Sequence, residues 1–170
     1  MFDLLKNLYF RKKNLKAFAE SRGVRFGEGC KVVSSLTTSF GTEPYLISFG
    51  VHTEVSADVT FITHDGAVWV LREEHPDVDV FGEIKVGSNV FIGRGVIILP
   101  GTHIGDNTVI GAGAVVKGQL EANSVYAGVP ARRICSYEEY KTRALNASLP
   151  TKQMDFETKK RYLVQHFNLD

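Results

Sequence analysis

Among the five histidines of the chain, His64 has the surroundings best suited to moving a proton. It lies in the segment Phe61-Ile62-Thr63-His64-Asp65-Gly66, where regularly spaced apolar residues give way to a stretch with no such spacing. A neutral imidazole at such a boundary can take the proton of a hydroxyl while that hydroxyl attacks an acyl carbon. The ring's second nitrogen then needs an acceptor, and the sequence offers a backbone carbonyl or a carboxylate such as Asp65 or Glu83. His52 and His103 fall at outward places within the regular spacing and His166 lies near the C-terminus, so these three read as structural or solvated. His75 shares the irregular stretch with Trp69, Arg72, Glu73 and Glu74, a loop long enough to shape an acceptor pocket or simply to pack on a second copy of the chain. Cys30 and Cys135 stand far apart, outside any CxxC or Cys/His cluster. They predict no disulfide framework and no zinc site, and they fit a reducing, cytoplasmic setting.

The elements that must position His64 are those of one domain, since 170 residues with 44% hydrophobic content suffice for a single core. Twenty Lys and Arg against nineteen Asp and Glu leave a net charge of +1, which supplies no basic field for nucleic acid. No run of eighteen apolar residues predicts a transmembrane segment, and the first residues lack the pattern of a signal peptide.

Residues 86 to 121 divide into VGSNVF, IGRGVI, ILPGTH, IGDNTV, IGAGAV and VKGQLE, each opening on an aliphatic residue. Glycine follows at 87, 93, 105 and 111, and small or β-branched residues take the fifth place at Val90, Val96, Thr102, Thr108 and Ala114. A period of six belongs neither to an α-helix nor to an alternating strand, and it predicts a stacked β-solenoid. Each unit supplies a short strand with its aliphatic side chain inward and a small residue at the corner, and three units close a triangular coil. The register returns upstream at Phe49-Gly50, Val55-Ser56 and Phe61-Ile62, so nineteen residues are inserted before Val86. A looser coil opens at Phe26-Gly27, and Phe40-Gly41 and Pro44 disturb the spacing that follows it.

The predicted organisation is an N-terminal helix over 1–22, a solenoid over 23–134 with an inserted loop at about 65–84, and C-terminal helices over 135–170. The first helix, with Leu4, Leu5, Leu8, Leu15 and Phe18 among lysines, is expected to cap the open end of the solenoid. Its basic face also permits peripheral contact with a membrane. The C-terminal helices are expected to cap the other end or to clasp a neighbouring subunit.

The hexads, the segment FITHDG at 61–66 and VYAGVPAR at 125–132 together resemble the hexapeptide-repeat acyltransferases. The likeness lies with the sugar and polysaccharide O-acetyltransferases, near the chloramphenicol and streptogramin acetyltransferases. It implies a left-handed parallel β-helix, a homotrimer with sites between subunits, and transfer of an acetyl group from acetyl-CoA to a hydroxyl of a sugar or polysaccharide precursor. Acceptors such as an antibiotic hydroxyl or a nucleotide-linked amino sugar fit the same layout. By this resemblance His64 is the general base, Gly111 and Ala112 meet the pantetheine arm with Arg94 one coil earlier, and Lys117 and Arg132 meet the phosphates. No metal is required by this chemistry. The γ-type carbonic anhydrases share the prism but bind metal through three histidines, a pattern missing from the spacing here. A non-catalytic repeat scaffold is the remaining class.

Overall fold

A computed structural model describes residues 14–33 and 35–169. Its strands follow the six-residue period: β1 (Arg25–Phe26) and β2 (Lys31–Val32), then β3 (Ile47–Phe49), β4 (Glu54–Val55) and β5 (Thr60–Phe61). After the insertion come β6 (Ile84–Val86), β7 (Phe91–Ile92), β8 (Ile97–Ile98), β9 (His103–Ile104), β10 (Val109–Ile110) and β11 (Val115–Val116). The last are β12 (Gln119–Leu120), β13 (Ser124–Ala127) and β14 (Arg132–Ser136).

Strands of successive coils pair in parallel to make three walls, and β14 joins the end of one of them antiparallel to β13. The first wall is ordered β1-β3-β6-β9-β12, the second β14-β13-β10-β7-β4-β2 and the third β11-β8-β5. The predicted β-solenoid is therefore a triangular parallel β-helix. Val86 stands over Ile104, Ile92 over Ile110 and Ile98 over Val116, one residue from each strand pointing inward. All six side chains are buried, as are the fifth-place residues Val90, Val96, Thr102, Thr108 and Ala114. Thr53 and Thr102 hold their inward hydroxyls by donating to the carbonyls of Gly87 and Leu99. The glycine after the aliphatic residue has a steric reason: a Cβ on Gly87 would lie 2.9 Å from the backbone nitrogen of Asp106 in the next coil.

The spacing of eighteen residues per coil ends at Val116. Leu120 stands beside Ile104 and Tyr126 beside Ile110, each two residues early, with Gly118 in the short turn between β11 and β12 at a φ of +76°. At the opposite end the coil is longer than eighteen, with Phe26 beside Phe49. Here four phenylalanines fill the core in place of the thin aliphatic column. Phe26 stacks on Phe49 at 4.6 Å and Phe40 on Phe61 at 5.1 Å, with edge contacts between the two pairs. Helix α1 (Leu15–Ser21), N-capped by the Asn14 side chain, adds buried Leu15 and Ala19 to this cluster. The part of the expected N-terminal helix before residue 14 lies outside the described residues.

One corner column holds four residues in the left-handed region, His52, Asn89, Asn107 and Asn123, with φ between 52° and 56°. Asparagine tolerates this conformation, and the side chains form a ladder in which each amide donates to the next coil's carbonyl, Asn89 to Asn107 and Asn107 to Asn123, both at 2.9 Å.

The chain divides into compact units at 1–139 and 140–170. The second unit holds most of α2 (Tyr137–Asn146) and all of α3 (Phe156–His166), neither with a buried residue. Asp155 caps α3 by accepting from the backbone nitrogen of Thr158, and these bonds hold its carboxyl below the usual range. Among the described residues, no helix is long and apolar enough to cross a membrane.

Candidate active site

The insertion leaves the prism where the third wall turns toward the first, between β5 and β6. Its two ends are zipped together. Asp65 donates its N–H to the carbonyl of Val80, Gly82 donates to that of Thr63, and His64 bridges Phe81 in antiparallel fashion. Beyond this base, Asp65 caps a 3-10 turn over Gly66–Leu71, and Arg72 staples the far limb by donating to Asp79 and to the carbonyl of Pro76. Val68 is buried, whereas Trp69 is 75% exposed, so Val68 anchors the loop to its own chain and Trp69 does not.

His64 thus projects from a closed base at a prism edge, with 43% of its side chain exposed. The ring of Phe81 meets it edge-on at 6.2 Å. The Nδ1 side faces the protein: Oγ1 of Thr42 lies at 3.1 Å and Oε2 of Glu43 at 3.2 Å. Thr63 is fully buried and donates its hydroxyl to the same Glu43 oxygen at 2.6 Å. That hydrogen bond first, with others from Thr42 and His64 and the attraction of the ring's charged form, keeps the Glu43 carboxyl below its usual range despite partial burial. Nε2 of His64 has no hydrogen-bond partner among the described residues.

The sequence proposed Asp65 or Glu83 beside the ring, and both carboxylates are engaged elsewhere. Asp65 accepts from the N–H of Ala67, and Glu83 pairs with Lys85 at 2.5 Å and lies 3.5 Å from His103. Glu43 and Thr42 were missed, yet a signal for them exists. The segment Phe40-Gly41-Thr42-Glu43 repeats the pattern of Phe61-Ile62-Thr63-His64 one coil earlier, and the two phenylalanine rings stack. Gly41 lets these two segments approach closely, since a Cβ there would lie 2.6 Å from Oγ1 of Thr63 at a φ of +69°.

The other candidates fall on two edges. Lys117 lies at the corner after β11, on the same edge as His64 and two coils along, in register with Ile62. Segment 128–131 lies against β11, with Val115 donating to the carbonyl of Gly128 and Ala131 to that of Val115, after which exposed Arg132 pairs with Ala127 in the second wall, beside the column of Gly111. Arg94, Gly111 and Ala112 lie with Arg132 on the side where the second wall turns to the third, and there Gly113 donates to the Arg94 carbonyl at 2.8 Å. Five extended residues separate Ala112 from Lys117, up to about 16 Å. A single chain therefore does not bring all the candidates around His64. The Arg94 guanidinium, moreover, is paired: Nε and Nη2 each lie 2.7 Å from Oδ2 of Asp58, one coil back. Asp58 also accepts from Ser35 at 2.6 Å and from Thr37. No three His, Cys, Asp or Glu side chains among the described residues are grouped to hold a metal ion.

The bacterial transferase hexapeptide family (six repeats) matches residues 83–118. Protein CapG of Staphylococcus aureus is 42% identical over 166 residues, covering 96% of this chain and 96% of that protein. The galactoside O-acetyltransferase of Escherichia coli K12 is 37% identical over 92 residues, 54% of this chain and 45% of that enzyme. A solved structure of a galactoside acetyltransferase in complex with coenzyme A covers 81% of this chain and 80% of its own, with a TM-score of 0.59 at 22% identity. That likeness shows the fold, a left-handed parallel β-helix. The chain belongs to the hexapeptide-repeat acetyltransferase family.

The Asp58 corner yields a pH test. The hydroxyls of Ser35 and Thr37, then the guanidinium of Arg94, depress its carboxyl from the ordinary 3.8 to about 2 in the folded protein. A depressed folded value stabilises the fold above the unfolded value and is lost as pH falls through the folded one. Melting curves of Asp58→Asn should lie below wild type above about pH 5, with the gap closing between 3.8 and about 2. An equal gap at pH 7 and pH 2 would remove the charge from this account.

Proposed function

We propose that this chain transfers an acetyl group from acetyl-CoA to a hydroxyl of a sugar or polysaccharide precursor, with His64 as general base. The carrying observation is the imidazole itself, whose Nδ1 edge is held against the protein while its unpartnered Nε2 edge emerges at a prism corner. In the reaction, Nε2 takes the acceptor's hydroxyl proton as the oxygen attacks the thioester carbonyl. The carbon–sulfur bond then breaks, and the imidazolium returns its proton to the departing thiolate, leaving the acetyl ester and free coenzyme A. Support for an acetyl donor and a sugar acceptor comes from the galactoside O-acetyltransferase relative and from the coenzyme A complex that shares the fold.

The split of the candidates over two edges is the reason to place the site between subunits. In a trimer, one protomer's His64 edge can face another's edge of Arg94, Gly111 and Ala112, forming a groove that neither possesses alone. The outward columns of the walls suit this arrangement. The first wall presents Arg25, Ser48, Lys85, His103 and Gln119, the second presents Lys31, Glu54, Phe91 and Val109, and the third presents Thr60, Ile97 and Val115. The uncharged column of the third wall favours lateral packing over solvent exposure. Within the groove, the backbone at Gly111, Ala112 and Arg94 lines the pantetheine arm, and Lys117 and Arg132 meet the phosphates. The Arg94 side chain, held on Asp58, shapes its corner.

Three outcomes follow. His64→Ala should lower kcat on the order of a hundredfold to ten-thousandfold while the KM for acetyl-CoA stays near wild type, since general base catalysis acts in the transition state. Retention of most of kcat, measured with a working acceptor, would make the histidine structural. Lys117→Ala and Arg132→Ala should raise the KM for acetyl-CoA well above any effect on the acceptor, because pairing with phosphate is ground-state binding. Unchanged acetyl-CoA dependence in both variants would count against that assignment. Sedimentation at micromolar concentration should report a trimer, and a fully active monomer would refute the shared groove.

A further inference from the structure

We infer that Glu43 is the positioning residue for His64, fixing the proton on Nδ1 so that Nε2 is the bare nitrogen of the neutral ring. The inference rests on the reading of His64 as the base and adds the device that makes it one. An ionised carboxylate can only accept hydrogen bonds, so each polar atom around Oε2 of Glu43 must be a donor. Thr63 donates at 2.6 Å. Nδ1 of His64 lies 3.2 Å from the same oxygen, and a deprotonated Nδ1 there would set one lone pair against another. The alternative tautomer needs Thr42 to donate to Nδ1, yet it leaves this repulsion in place, and the Thr42 hydroxyl also has the carboxylate as an acceptor. The protonated Nδ1 satisfies both neighbours: it donates toward Glu43 and the Thr42 oxygen, while the Thr42 hydrogen points to the carboxylate.

The carboxylate is itself held by the fold. Thr63 is fully buried, its carbonyl accepts from Gly82 at the zipped base of the insertion, and Gly41 lets the Glu43 coil approach it closely. Phe81 flanks the imidazole on another side. When Nε2 takes a proton, the resulting imidazolium faces a carboxylate already in place, and a charge-assisted hydrogen bond to it strengthens as the charge develops. Asp65 and Glu83 make no hydrogen bond to the ring, their carboxylates accepting instead from Ala67 and from Lys85.

The test uses the full chain. Nitrogen NMR of histidine-labelled protein, with His64 assigned by its loss in His64→Ala, should find the wild-type neutral ring protonated on Nδ1. In Glu43→Ala the ring should shift toward the Nε2-protonated form that is favoured in water. Glu43→Ala and Glu43→Gln should lower kcat between about tenfold and a thousandfold with the KM for acetyl-CoA unchanged, and Glu43→Asp should restore part of the loss. A wild-type ring protonated on Nε2 overturns the inference without any variant, so a misfolded substitution does not protect it. If His64→Ala abolishes turnover while both Glu43→Ala and Glu43→Gln retain it, the base stands and Glu43 is structural. If His64→Ala itself retains turnover, the catalytic reading fails first and this inference with it.

Discussion

No coil of this protein can bury its own inward side chain, and that constraint governs the rest of the structure. A two-residue strand offers one aliphatic group to the axis, and only the coils on either side remove that group from water. The inward residues must therefore stack in register, and the corners must be narrow enough for adjacent backbones to pair. Glycine at Gly87 and asparagine at Asn89, Asn107 and Asn123 are local answers to this demand. The phenylalanine cluster answers it at the N-terminal end, where the coils are longer and a thin aliphatic column would leave space unfilled.

An insertion is compatible with such a stack only if it begins and ends at one corner. The antiparallel closure between residues 63–65 and 80–82 returns the chain to Ile84 with the pairing of the walls intact. The same closure places His64 outside the stack while its backbone remains tied to it. A reactive side chain on a rigid edge beside a loop is a common way for a scaffold to support chemistry, because the scaffold supplies precision and the loop supplies access. Thr63 joins the two regimes: its side chain is buried with the core, and it holds the carboxylate that the imidazole faces.

The positions of the cationic candidates illustrate how a solenoid distributes function. Residues far apart in sequence lie on one edge when they occupy equivalent corners, as His64 and Lys117 do, while residues only five apart, Ala112 and Lys117, lie on different edges. Proximity in such a fold follows the corner and not the chain. Arg94 adds a further point, since an exposed arginine at an apparent binding corner can be committed to its own fold, here to Asp58.

Much of this was legible in the amino-acid sequence. The period of six, the inward residues from Val86 to Val116, the place of the insertion and the boundary position of His64 all follow from local spacing, because stacking imposes the same requirement on every coil. The tertiary structure decided what depends on the offset between coils. The register shortens by two residues at Gly118, and it lengthens before Phe49, so a reader counting in sixes loses the alignment at both ends. Glu43 was invisible for that reason: it meets His64 across an offset of twenty-one residues, not eighteen, and the repeat of Phe-x-Thr that marks this offset looked like a disturbance of the period. The pairing of Arg94 with Asp58 was obscured differently, because the insertion lies between the two residues in the chain. A one-dimensional pattern records which residues face inward, while the partners of outward residues are set by how far each coil turns before it meets the next.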